Sequence, residues 1–122
     1  MHEVSKAVTI FHNPACGTSR NTLAMIREAG IEPTVVEYLK TGWTKDQLKG
    51  LLEAMGKRPR DILRTKGDQA IALSGELGLQ EAGDDALLDA MVQHPILVER
   101  PIVVGPKGAA LCRPAETCKG LL

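Results

Sequence analysis

The chain has 122 residues, which suits a single domain spanning 1–122 and is too short for two independent cores. Fifteen basic residues balance fifteen acidic ones, so no overall field favours nucleic acid or an anionic membrane, and any anion site has to be local. Three cysteines, Cys16, Cys112 and Cys118, occur without a C-x-x-C pair, a Cys/His cluster at zinc spacing, a secretory leader or a long apolar run. The expectation is a cytoplasmic protein with reduced thiols, which argues against a disulfide framework, a thioredoxin-type dithiol, a metal site and a membrane span.

The elements follow in chain order. AVTIF at 7–11 is apolar and rich in β-branched residues, and HNPA after it is turn chemistry, so a buried first strand is predicted. From Thr18 to Ala29 the apolar positions Leu23, Ile26 and Ala29 recur at helical spacing, with Gly30 as the stop. TVVEYL at 34–39 reads as a second strand, parallel to the first because a helix separates them. Thr44 and Gln47 form a capping-box pattern ahead of Leu48, Leu51, Leu52 and Met55, and Gly56 closes that helix. PRDILR at 59–64 suggests one further helical turn, whereas 65–83 carries glycines and weak periodicity and reads as irregular. Asp84 or Asp85 is placed to cap a helix with Leu87, Leu88, Met91 and Val92 on its apolar face, and Pro95 stops it. PIVV at 101–104 and AALC at 109–112, joined by GPKG, predict an antiparallel hairpin, and Pro114 can open a last short helix.

The order predicts an α/β fold: a small mixed four-stranded sheet, with a parallel βαβ unit and an antiparallel hairpin, covered by helices. That is a thioredoxin-like arrangement. It places Cys16, in the stretch HNPACGTSRNTL, at or just before a helix N-terminus. Unpaired first-turn amides and partial positive charge there can bind an anion and stabilise a thiolate. A free thiol titrates near about 8.5, and such a position lowers it toward neutral pH. His12 lies four residues upstream, and Thr18 and Ser19 add hydroxyls to the backbone donors. A phosphatase loop is a rival reading, but the three residues between Cys16 and Arg20 are fewer than that loop uses. Blander readings stand beside these. Cys112 ends an apolar strand and reads as packing, Cys118 as a bystander, and Tyr38 and Trp43 as packed aromatics. Arg20 reads as a solvated first-turn residue, and His12 either tunes the thiol or simply bonds the turn.

HNPACGTSRNTL, ILRTKG at 62–67 and QHPILVERPIVVGPKGAALCRP at 93–114 together resemble the glutaredoxin-coupled arsenate reductase family. The resemblance implies that Cys16 is the nucleophile that attacks arsenate. It further implies that Arg64, Arg100 and Arg113 hold the oxyanion and stabilise intermediates, and that Gly17, Thr18 and Ser19 help bind it. His12 and Ser19 would tune the thiol, and a cis Arg100–Pro101 bond would direct the Arg100 guanidinium into the Cys16 pocket. Planar guanidinium forks and helix amides suit a tetrahedral oxyanion, so phosphate should compete weakly. Glutathione as co-substrate and glutaredoxin as partner would supply the thiols this chain lacks, with no bound cofactor or metal and a monomer as the working unit. Two other classes remain: an Spx-like thiol-stress regulator that binds RNA polymerase, whose usual C-x-x-C switch is absent here, and a glutathione-dependent reductase of another substrate.

Overall fold

The computed structural model describes residues 7–122; the start of the predicted 1–122 domain, residues 1–6, lies outside the described residues. The chain divides into two compact units, one running to Thr41 and resuming at Arg100–Leu122, the other Gly42–Glu99.

The first unit holds the sheet. Its elements are β1 (Thr9–His12), α1 (Gly17–Glu28), β2 (Thr34–Glu37), a single turn α2 (Tyr38–Thr41), β3 (Ile102–Gly105), β4 (Gly108–Leu111) and a C-terminal 3-10 helix, Ala115–Leu121. The sheet order is β2-β1-β3-β4, with β1 and β2 parallel and both other pairs antiparallel. This is the thioredoxin-like topology predicted from the element order. Register puts Val35, Ile10, Val103 and Ala110 in one row across the four strands. Side chains alternate along strands, so that row lies on one face. It packs with Ile26 of α1 and with Cys112, Cys118 and Leu121 in one core cluster. Gly105 is pressed against the Leu121 carbonyl, where a Cβ would collide with backbone.

The buried stripe of α1 runs through Ser19, Thr22 and Ile26 rather than through apolar residues alone. Thr22 is accommodated because its Oγ1 donates to the Thr18 carbonyl at 2.8 Å. Gly30 follows the helix at φ +83°, the left-handed conformation that glycine adopts cheaply. The predicted second strand ends early: Tyr38 and Leu39 belong to α2, with Tyr38 fully buried. The hairpin is shifted by one residue from the predicted limits, to 102–105 and 108–111. Pro114 precedes the last helix as its N-cap.

The second unit is helical. It contains α3 (Lys45–Met55), a 3-10 turn Pro59–Ile62, α4 (Asp68–Leu77), α5 (Asp84–Gln93) and a 3-10 turn Pro95–Leu97. The predicted capping box is present: Thr44 Oγ1 accepts from the Gln47 N–H at 3.0 Å, and Gly56 closes α3 in the left-handed region at φ +65°. Two expectations need correction. Residues 68–77 are helical, not irregular; Ala70 is buried and Leu73 half-buried, while Ile71 and Leu77 are exposed, so its apolar residues do not mark one buried face. The N-cap of α5 is Gly83, and Asp84 and Asp85 sit in its first turn, where they complement the helix dipole instead of capping it. Lys45 bridges Asp85 and Asp89, at 3.1 and 3.0 Å, tying α3 to α5. Among the described residues no helix is long and apolar enough to cross a membrane.

Candidate active site

β1 ends at His12 and α1 begins at Gly17, so four residues turn the chain from strand to helix. Asn13 controls the turn. Its Oδ1 accepts from the Ala15 N–H at 3.0 Å and its carbonyl accepts from the Cys16 N–H at 3.0 Å. Cys16 emerges as the N-cap of α1 in extended conformation, half-buried, directly before Gly17, Thr18 and Ser19, whose first-turn amides have no acceptor within the helix. Its Sγ makes no capping bond of ordinary geometry, yet it lies near enough to the Ser19 amide for that N–H to favour the thiolate.

Burial pushes the Cys16 thiol up, but the Ser19 amide, Arg113 and Arg100 together outweigh it, and the thiol titrates below its ordinary value. Arg113 Nη1 lies 3.8 Å from Sγ and also donates to the Arg100 carbonyl at 2.9 Å. Arg100 is only 6% exposed, and its Nε and Nη1 are buried with no hydrogen-bond partner among the described residues. A guanidinium desolvated with idle donors is costly unless something anionic meets it. The Arg100–Pro101 bond is cis, as expected; Arg113–Pro114 is cis as well.

Behind the thiol, His12 Nδ1 lies 2.6 Å from Ser19 Oγ, which also accepts from the Asn13 N–H at 3.1 Å. Burial lowers His12 below the ordinary imidazole value; Glu37 opposes this, and Arg27 and Arg20 add to it. A neutral ring protonated on Nε2 then leaves Nδ1 to accept the Ser19 hydroxyl proton. His12 is thereby coupled to the residue whose amide serves the thiol.

The structure therefore gathers Cys16, Gly17, Thr18, Ser19, His12, Arg100 and Arg113 within the first unit. Arg64 belongs to the second unit, where its Nη1 donates to Glu99 Oε1 at 2.6 Å in a partly buried pair. Arg20 is exposed and donates to the Pro14 carbonyl at 2.9 Å, in keeping with its reading as a surface residue. Cys112 and Cys118 are fully buried in the core cluster; burial pushes the Cys112 thiol up to about 12 and raises Cys118 too. Neither is a nucleophile at neutral pH. Asn13 shapes the loop without belonging to the residues the sequence pattern points to, and the Asn-Pro dipeptide ahead of the cysteine is its sequence signal.

Residues 11–121 match the model of the ArsC family. The chain belongs to that family. An arsenate reductase of Rhizobium meliloti (strain 1021) is 55% identical to this ArsC family member over 115 residues, covering 94% of this chain and 81% of that protein. An arsenate reductase of Escherichia coli (strain K12) is 52% identical over 117 residues, covering 94% and 80%. Among solved structures, an arsenate reductase from Vibrio cholerae superposes with a TM-score of 0.85 at 41% identity, over 96% of this chain and 98% of that one.

Proposed function

We propose that the protein is a cytoplasmic arsenate reductase that works through a covalent adduct on Cys16. The observation that carries this reading is the half-buried thiol held low by a helix-terminal amide, Arg113 and Arg100, with two buried Arg100 donors unspent. The relatives named arsenate reductase support the same oxyanion as substrate.

The chemistry follows from the side chains. The Cys16 thiolate attacks arsenic(V), an As–S bond forms, and one oxygen leaves as water after protonation. Arg100, Arg113 and the first-turn amides receive the charge that accumulates on the remaining oxygens, and hold the substrate in line with Sγ. Glutathione then attacks the arsenic of the adduct and displaces a second oxygen as water, and the glutaredoxin thiolate attacks the glutathione sulfur, carrying it off as a mixed disulfide and leaving its bonding pair on arsenic. Arsenic thereby gains two electrons, which the two external thiols lose as they join in the disulfide; water then cleaves the remaining As–S bond, its oxygen passing to arsenic, so that arsenite departs and Cys16 returns as thiolate. No second cysteine of this chain takes part, since Cys112 and Cys118 are buried and held protonated. The step needs no bound metal or organic cofactor.

The test is NADPH oxidation coupled through glutathione reductase, with arsenate, glutathione and glutaredoxin, run with and without the protein. The expected result is oxidation that requires arsenate and the protein together. Oxidation independent of arsenate, or none while the thiol is intact, would overturn the reading; the latter outcome would favour a regulator or a reductase of another substrate.

A further inference from the structure

The loop between β1 and α1 consists of Asn13, Pro14, Ala15 and Cys16. Proline has no N–H, so the loop carries three backbone donors, and each of the three ends on or begins at Asn13. The Asn13 N–H goes to Ser19 Oγ at 3.1 Å, the Ala15 N–H to Asn13 Oδ1 at 3.0 Å, and the Cys16 N–H to the Asn13 carbonyl at 3.0 Å. Asn13 itself is 3% exposed. Its side-chain acceptor is identified as oxygen by the N–H it receives, which is the bond of an Asx turn.

We propose that Asn13 is a positioning residue for the nucleophile: its uncharged amide closes the turn that presents the Cys16 thiol to the first-turn amides of α1. The turn commits the Ala15 and Cys16 amides internally, so the donors left for the thiolate or a bound oxyanion are those of Gly17, Thr18 and Ser19. It also fixes the loop before substrate arrives, which removes an ordering cost from the reaction. Charge is the second requirement. An aspartate could close the same turn, but its carboxylate would sit in the loop that carries the thiolate and repel it. The other titratable and charged groups around the loop, His12, Arg20, Arg100 and Arg113, are untouched by changes at Asn13.

The proposal rests on Cys16 being the reactive thiol, and its test omits arsenate so that the two readings fail separately. The measurement is the rate of iodoacetamide alkylation of the full chain against pH, with the adduct assigned to Cys16 by peptide mass, beside thermal unfolding of each variant. Asn13→Ala is expected to raise the alkylation midpoint by about one pH unit, which corresponds to about a tenfold smaller thiolate fraction below the midpoint. Asn13→Ser, which retains a short oxygen acceptor, recovers most of that loss. Asn13→Asp keeps a thermal midpoint near that of the parent while its alkylation midpoint rises. A purely structural role would lower thermal stability and leave the alkylation midpoint in place, and that result overturns the proposal. So does a serine variant no better than alanine, or an aspartate variant with the parent's midpoint. If Asn13→Ala does not fold, a serine variant whose alkylation midpoint stands a full pH unit above the parent's, or an aspartate variant with the parent's midpoint, overturns the proposal.

Discussion

At the scale of single residues, three cysteines of identical chemistry have been given opposite characters by their surroundings. Cys16 is half-buried at a helix N-terminus beside two arginines, and its thiol is lowered; Cys112 lies in the core, and its thiol is pushed up to about 12. Cys16→Ser is expected to abolish arsenate reduction in the NADPH-coupled assay, because a serine hydroxyl is not ionised by these neighbours. Cys112→Ala should leave most of the activity and cost about 1–2 kcal/mol of stability from the lost packing. Equal losses of turnover in the two variants would indicate a relay between cysteines and reject the single-thiol mechanism. Arg100 offers a separate test. Arg100→Lys keeps the charge but loses the planar fork, so turnover should fall at least about tenfold while the denaturation midpoint stays near the parent's. An arsenate KM and kcat unchanged by this substitution would remove Arg100 from the site.

At the scale of elements, legibility in the sequence tracked how much each segment depends on its own residues. The capping box of α3 is local: Thr44 and Gln47 satisfy each other's backbone, and Leu48, Leu51 and Leu52 bury one face. It could be read from spacing alone. Thr44→Ala should therefore destabilise the fold by about 1 kcal/mol, seen as a lower urea midpoint at unchanged slope, with arsenate turnover untouched. α4 is the opposite case, since Ile71 and Leu77 are exposed and its burial rests on Ala70 and half-buried Leu73. Periodicity cannot reveal a helix whose apolar residues are not those that pack. Along α1 the same rule fails in another way, because the buried positions Ser19 and Thr22 are polar and carry hydrogen bonds rather than apolar area.

At the scale of the whole molecule, buried thiols link stability to alkaline pH. Cys112 ionises near 9.0 when unshifted and at about 12 in the fold, and burial raises Cys118 as well. A folded value above the unfolded one means stability is complete below about pH 9 and is lost as pH rises through the folded value. Cys16, whose folded value is depressed, acts in the other direction: its contribution is present above the unfolded value and is lost as pH falls through the folded one. Urea midpoints should thus decline above about pH 9, and Cys112→Ala should flatten that decline. A parallel decline in the variant would show that Cys112 is not its cause. The order of the strands, the cysteine at a helix start, the hairpin and the α3 cap were settled by the sequence itself, because each depends on the chemistry of residues close together along the chain. Tertiary structure alone decided the rest. It brought Arg113 to within 3.8 Å of Cys16 across 97 positions of sequence, and it buried Arg100 with donors unmatched. It also set Gly105 against the Leu121 carbonyl. Those outcomes depend on which surfaces meet after the chain has closed, and no local pattern of residues encodes that.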